Sequence, residues 1–300
     1  MAKNSSNKKW TGAGKGSGLG HKAFIFLINI AGATPAYILL FPVTLFYLLI
    51  DKAGRNGIKS FYKNLPNTKP TLRNIYRNYY YFGMSLVDRV IFLTLKKIPF
   101  KYEYINEEYI SKALEPKKGA ILLSAHIGNW DVAGNLLKDR LSVPINAVMF
   151  QNEKEGIKES LQDVESKRKF KIIPIKTDSP ETMIAIRNAL SKNELVCLHG
   201  DRSVDAAGVE VNFLGEKALF PNGAFSIAAV TDCPIIPVFI TKKGFGNYKF
   251  RAFDPIYIKP KSREQRATAI KSGLVEFVSI LEHVSKESPS QWFNFYKFWN

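Results

Sequence analysis

The chain has 300 residues, 46% of them apolar, and a formal net charge of +17 at pH 7. That length and apolar content suffice for one sizeable core, so one catalytic domain with appendages is the economical organisation. Such a charge suits nucleic acid, an anionic membrane surface or an acidic protein, and the lack of any zinc-finger spacing, RNP-like aromatic motif or basic-region heptad argues against nucleic acid. Cys197 and Cys233 lie in apolar runs far from any C-x-x-C or Cys/His spacing, which predicts no metal site, no disulfide framework and a reducing compartment.

Residues 1–22 are polar and glycine-rich, as expected of a flexible basic tail. The glycines there do not meet phosphate-loop spacing, because Lys9 stands where the first glycine belongs and Gly16 follows Lys15. Ala23 to Ile50 contains no charged residue and is long enough to span a bilayer, which needs roughly 20 residues. It exceeds the h-region of a signal peptide and no small-x-small cleavage site follows it. Pro35 and Pro42 are expected to bend it, so a kinked span and a re-entrant pair of helices lying in the interface both fit. Lys3, Lys8, Lys9, Lys15 and Lys22 precede it, and Lys52, Arg55, Lys59 and Lys63 follow. Basic residues so placed suit anionic lipid headgroups.

From Thr71 to Lys97, apolar and aromatic residues recur at helical spacing. Short β-rich runs and helical stretches then alternate. The runs Phe100–Tyr104, Ala120–Ser124, Ile145–Met149, Lys171–Ile175, Leu195–Leu198, Glu210–Phe213, Ile235–Ile240 and Tyr248–Phe253 read as strands. Trp130–Arg140, Glu155–Lys167, Pro180–Ser191, Asn222–Thr231 and Arg263–Lys286 read as helices. The alternation predicts an α/β fold with a parallel or mixed central sheet flanked by helices, behind an N-terminal membrane-associated helical segment. The expected organisation is the tail at 1–22, the hydrophobic segment at 23–50, a helical lead-in at 51–115, and an α/β domain at 116–300 that carries the last helix and an aromatic tail.

The densest chemistry lies in His126-Ile127-Gly128-Asn129-Trp130-Asp131. Ala120–Ser124 would be a buried strand delivering His126 at its end, with Gly128 allowing a tight turn and Asn129 capping a helix. His126 and Asp131 are five residues apart, about 140° on a continuous helix, so they need that turn to meet. Asp131 could then orient His126 as a general base for an alcohol. His199 sits at another strand end, two residues before Asp201, and is expected to be structural. The closing Gln291–Trp299 is too aromatic for a free tail and should pack on the core or meet the membrane interface.

These segments resemble the lysophospholipid acyltransferase superfamily with its H-x4-D motif, in particular its lipid A late-acyltransferase-like branch. The resemblance rests on "SAHIGNWD", on "LHGDR" at a strand end, and on "FLGEKALFPNGAFSIAAVTDCPIIPVF". It implies an O-acyltransferase with His126 as base and Asp131 as its partner. It also implies substrate-binding roles for Gly128, Asn129, Arg168, Asp201, Arg202, Phe220 and Gly223. The implied reaction moves a fatty-acyl group directly from acyl carrier protein or acyl-CoA, with no other cofactor, to a hydroxyl of a lipid A-type or related lipid. Acyl carrier protein and membrane lipids are the expected partners, and the cytoplasmic face of a bacterial inner membrane the expected location. Phe220-Pro221-Asn222-Gly223-Ala224-Phe225 lacks the glutamate and arginine of the glycerol-phosphate branch, which disfavours a lysophosphatidate acceptor. A pigment, polyene or aminolipid acceptor, or a catalytically silent membrane-binding protein, remain the alternatives.

Overall fold

The computed structural model describes residues 18–95, 100–130, 132, 137, 140–150, 170–176, 179–202 and 208–299. A seven-stranded mixed sheet forms the centre. In chain order its strands are β1 (Lys101–Ile105), β2 (Ala120–Ser124), β3 (Ile145–Met149), β4 (Lys171–Pro174), β5 (Leu195–His199), β8 (Ile235–Gly244) and β9 (Asn247–Ala252). Across the sheet the order is β1-β9-β8-β2-β5-β3-β4. Every pairing is parallel except β8 with β9. Between β5 and β8 an antiparallel hairpin, β6 (Val209–Phe213) and β7 (Glu216–Phe220), stands apart from the main sheet.

β2 shows why the sheet forms where it does. All five of its residues are buried. Its side chains alternate between two apolar clusters, Ile121 and Leu123 in one, Ala120 and Leu122 in the other. A strand covered on both faces reads as a continuous apolar run. One face is covered by α6 (Glu181–Ser191), α7 (Gly223–Thr231) and α8 (Arg266–Glu287), through residues such as Ile186, Phe225 and Phe277. The other face lies against α1 (Gly18–Ala31), α2 (Ala33–Ile50), α4 (Leu72–Thr94) and α5 (Glu108–Leu114). A further helix, α3 (Lys52–Asn64), contributes Ile58, Phe61 and Tyr62 to the first cluster.

The apolar stretch 23–50 divides at Gly32, whose φ of +78° ends α1 and re-aims the chain into α2. The prolines do not make that break. Pro35 sits in the first turn of α2, where no backbone donor is needed, and Pro42 lies inside α2 without ending it. Ala36, Tyr37, Leu40 and Thr44 are buried, and α2 packs on α4. Ile38, Phe41, Leu45, Phe46, Leu49 and Ile50 are exposed. By length and composition α2 could cross a bilayer.

The expected helix Glu155–Lys167, and most of Trp130–Arg140, lie outside the described residues. The helices α3 and α5 fall within 51–115, read from sequence as a helical lead-in without bounds for either, and the strand β7 is an addition that sequence pattern did not supply. β7 joins β6 through Leu214 and Gly215, both at positive φ, the geometry of a tight hairpin turn.

Candidate functional site

Strand register builds the site. β2 and β5 are parallel neighbours, with Ser124 opposite His199, and Gly200 N–H extends the ladder to Ser124 O at 2.8 Å. His126 and Asp201 each lie two residues beyond that last pair, so the two chains carry them out of the sheet side by side. His126 Nδ1 is 2.8 Å from Asp201 Oδ1. The His126 backbone N–H donates to Asp201 Oδ2 at 3.1 Å. In an open α/β sheet, ligands bind beyond these carboxyl ends of parallel strands.

The turn that presents His126 is tightly fitted. Gly128 has a φ of +71°, and a Cβ there would stand 1.8 Å from Ile240 O. Only glycine meets both demands. The Asn129 backbone N–H donates to that same Ile240 O at 3.0 Å, so β8 holds the turn from below. Asn129 is buried; its Oδ1 accepts Val132 N–H at 3.4 Å, as expected of a cap, and its Nδ2 donates to Ser85 O and Tyr248 Oη, each at 3.1 Å.

Tyr248 opens onto a buried charged network. Asp88 of α4 bonds Lys242 of β8, Tyr248 of β9 and Tyr37 of α2. Asp88 and Lys242 are both almost fully buried. Burial lowers the Lys242 ammonium pKa, against the pull of Asp88. A buried ion pair persists when its remaining hydrogen-bonding capacity is satisfied, which here the two tyrosines help to do.

The aromatic tail closes the site from the other side. Trp292 Nε1–H donates to Asp201 Oδ2 at 3.1 Å. Phe293 N–H donates to His126 O at 2.8 Å, and Gly128 N–H to Gln291 O at 2.9 Å. Arg202 donates to Phe293 O, and its guanidinium lies 5.6 Å from the centre of the Tyr296 ring. The rings of Tyr79 and Phe82 on α4 meet Phe295, so the tail lies between α4 and the dyad.

The electrostatics favour a neutral imidazole beside an ionised carboxylate. Burial and then Arg202 push His126 below the ordinary imidazole value, and Asp201 only partly offsets them. Burial alone would raise Asp201, but His126, its hydrogen bond and Arg202 hold it well below the usual carboxylate range. His199 packs against His126 with ring centres 4.3 Å apart and planes tilted by 43°, and burial and His126 depress its pKa strongly. Trp130 caps the pair, its ring meeting His199 edge to face at 5.1 Å. A neutral base whose Nδ1–H is held by a carboxylate can take a proton at Nε2 and be stabilised as imidazolium.

The chain matches the family described as bacterial lipid A biosynthesis acyltransferase over residues 68–300. It belongs to that family. Every described residue of the site except Tyr37 falls inside the matched segment. Among curated proteins it is similar to phosphatidylinositol mannoside acyltransferase of Mycolicibacterium smegmatis, at 26% identity over 144 residues, 48% of this chain and 47% of that protein. The Mycobacterium tuberculosis protein of the same name is 28% identical over 149 residues, 49% of this chain and 47% of that one. The chain thus spans about half the length of the curated relatives it matches.

Of the residues expected from sequence in this lipid A acyltransferase family member, the structure brings together His126, Gly128, Asn129, Asp201 and Arg202. The carboxylate found on His126 Nδ1 is Asp201, which sequence reading assigned to substrate binding. Asp131, to which spacing gave that place, lies outside the described residues, as does Arg168. Phe220 is fully buried in β7 against Phe213 and Phe298, and Gly223 is an exposed residue opening α7. Sequence reasoning missed Trp292, Gln291 and the Asp88–Lys242 network. The one signal for the first two was the aromatic density of the tail.

Proposed function

We propose that the protein transfers a fatty-acyl group from a thioester, on acyl carrier protein or CoA, to a hydroxyl of a membrane glycolipid. His126 is the general base, and Asp201 fixes its tautomer and stabilises the imidazolium. The observation that carries this reading is the 2.8 Å His126–Asp201 pair, set by strand register inside the family-matched segment. The acceptor O–H gives its proton to His126 Nε2 as its oxygen attacks the thioester carbonyl carbon. The tetrahedral intermediate collapses, the C–S bond breaks, and the imidazolium returns the proton to the departing thiolate. An ester and a free thiol result, with no acyl-enzyme and no cofactor beyond the thioester.

A phosphorylated, sugar-bearing lipid is the acceptor class favoured by the family match and by the relatives' named substrate. Absence of the glutamate and arginine expected of a glycerol-phosphate site keeps a non-phosphorylated acceptor as the second reading. The exposed apolar side of α2, beside Lys52, Arg55, Lys59 and Lys63, supports seating on an anionic bilayer, at the cytoplasmic face of the inner membrane. Because the opposite side of α2 is committed to α4, the helix lies in the interface in this reading.

The test is transfer of radiolabel from palmitoyl-CoA, or from palmitoyl acyl carrier protein, to phosphatidylinositol mannoside or to a lipid A-type disaccharide in mixed micelles. Labelled lipid with wild type and none with His126→Ala is expected. Equal labelling by that variant would end the proposal.

A further inference from the structure

Trp292 is buried, with 1% of its surface exposed, and its indole N–H must find a partner there. The partner is the carboxylate of the dyad. Asp201 Oδ2 takes the Trp292 Nε1–H at 3.1 Å and the His126 backbone N–H at 3.1 Å, leaving Oδ1 to the imidazole. With both donors in place the carboxylate plane has no freedom to turn away from Nδ1. Removing either lets it rotate and lengthens the charge-assisted bond to Nδ1.

Trp292 is itself rigidly seated. Its ring meets Phe61, Phe213 and Phe298 edge to face at 4.9–5.4 Å. The residue before it is pinned through its side chain: Gln291 Oε1 accepts Lys242 N–H at 2.7 Å and Gln291 Nε2 donates to Lys242 O at 2.9 Å. The residue after it donates to His126 O. Three consecutive tail residues thus grip the base, its carboxylate and the strand beneath.

We infer that Trp292 is a positioning residue for the reaction, its indole N–H orienting Asp201 so that Asp201 can hold His126. This rests on the reading of His126 as general base. Among the described residues, the charged and titratable groups around the imidazole are Asp201 and Arg202 beyond β5, His199 at its end, and Tyr296 of the tail beside Arg202. None of them is replaced when the indole N–H is deleted, so the change at His126 reports on how Asp201 is held.

The experiment is a proton–carbon NMR titration of the full-length protein labelled at histidine Cε1. The chain has four histidines, and the His126 resonance is assigned by its loss in His126→Gln. Trp292→Phe keeps a ring and deletes the N–H. Incorporation of benzothienylalanine at 292 keeps the bicyclic shape, puts sulfur where the N–H was, and decides the matter should the phenylalanine variant fold poorly. A carboxylate free to turn from Nδ1 holds the imidazolium less well, so the His126 midpoint should fall by about half a pH unit in both proteins. In the palmitoyl transfer assay kcat should fall about tenfold with KM unchanged, the signature of a group that acts in the transition state. A midpoint unmoved or raised in the benzothienyl protein, with its melting temperature preserved, overturns the inference. Transfer retained by His126→Ala would instead overturn the base assignment and leave the titration result standing.

Discussion

Asp201→Asn preserves volume and removes one charge, and the consequence follows from which oxygen receives which donor. An amide has a single acceptor oxygen. Placed at the Oδ2 position it can keep the two fixed donors, the His126 backbone N–H and the Trp292 indole, both at 3.1 Å. Its NH2 then faces His126 Nδ1, where Oδ1 had been at 2.8 Å. The imidazole has to accept there, which moves its proton to Nε2, the nitrogen that must be bare to deprotonate the acceptor. Turning the amide the other way restores Nδ1–H but sets two buried N–H donors against an NH2 group. Wrong tautomer and lost counter-charge together should lower kcat about 10⁴-fold, roughly 5 kcal/mol of transition-state stabilisation. Initial rates of palmitoyl transfer would measure this, with circular dichroism as the control for folding. Activity within tenfold of wild type in a folded Asp201→Asn protein would refute the argument, and a collapse in Asp131→Asn alone would move the orienting role to Asp131.

The depressed His126 pKa gives a second expectation. Its folded value lies below the unfolded one, so kcat/KM should stay level through pH 7 and fall only below the ordinary imidazole value of 6.5, and the stability linked to this group, present above 6.5, should be lost as pH falls through the folded value. An acid limb above 6.5 would contradict it. Gly128→Ala should cost well over about 1 kcal/mol in urea unfolding and most of the transfer activity, since the new Cβ would drive β8 from the turn. Asp88→Ala strands the Lys242 ammonium in the core and should destabilise by about 3–5 kcal/mol, while Asp88→Leu with Lys242→Met should recover much of that loss in the same measurement. Phe46→Glu with Leu49→Glu, on the exposed side of α2, should abolish sedimentation with phosphatidylglycerol vesicles and leave the melting temperature unchanged. Removal of residues 1–50 is a poorer test, because it strips Ala36, Tyr37 and Leu40 from the core.

Sequence pattern located most of the sheet, and β2 and β3 to the residue, because strands covered on both faces carry a mostly apolar signal, broken here only by Ser124 and Asn146. β7 escaped, since Glu216 and Lys217 interrupt the pattern and among the described residues it pairs with β6 alone. The bend in 23–50 was sought at the prolines, whereas a glycine at positive φ makes the sharper break and a proline in a first turn makes none. The placing of His126 at a strand end was legible, because Gly128 and Asn129 stand close to it in sequence. Its carboxylate was not, because the meeting of His126 and Asp201 depends on β5 lying next to β2 with Ser124 opposite His199, a fact of sheet order that periodicity does not carry.

The Asp88 network has a mechanical consequence. Tyr37 on α2 and Tyr248 at the Asn129 turn share one carboxylate, so peeling α2 from α4 would strip a hydrogen-bond donor from Asp88 Oδ1 in the core. Protein packing therefore sets the separation between the exposed apolar side of α2 and the imidazole of His126. With α2 seated on a bilayer as proposed, such a body would sample hydroxyls at one depth, and an acceptor lipid would be chosen partly by how far its headgroup carries the reacting oxygen above the acyl chains.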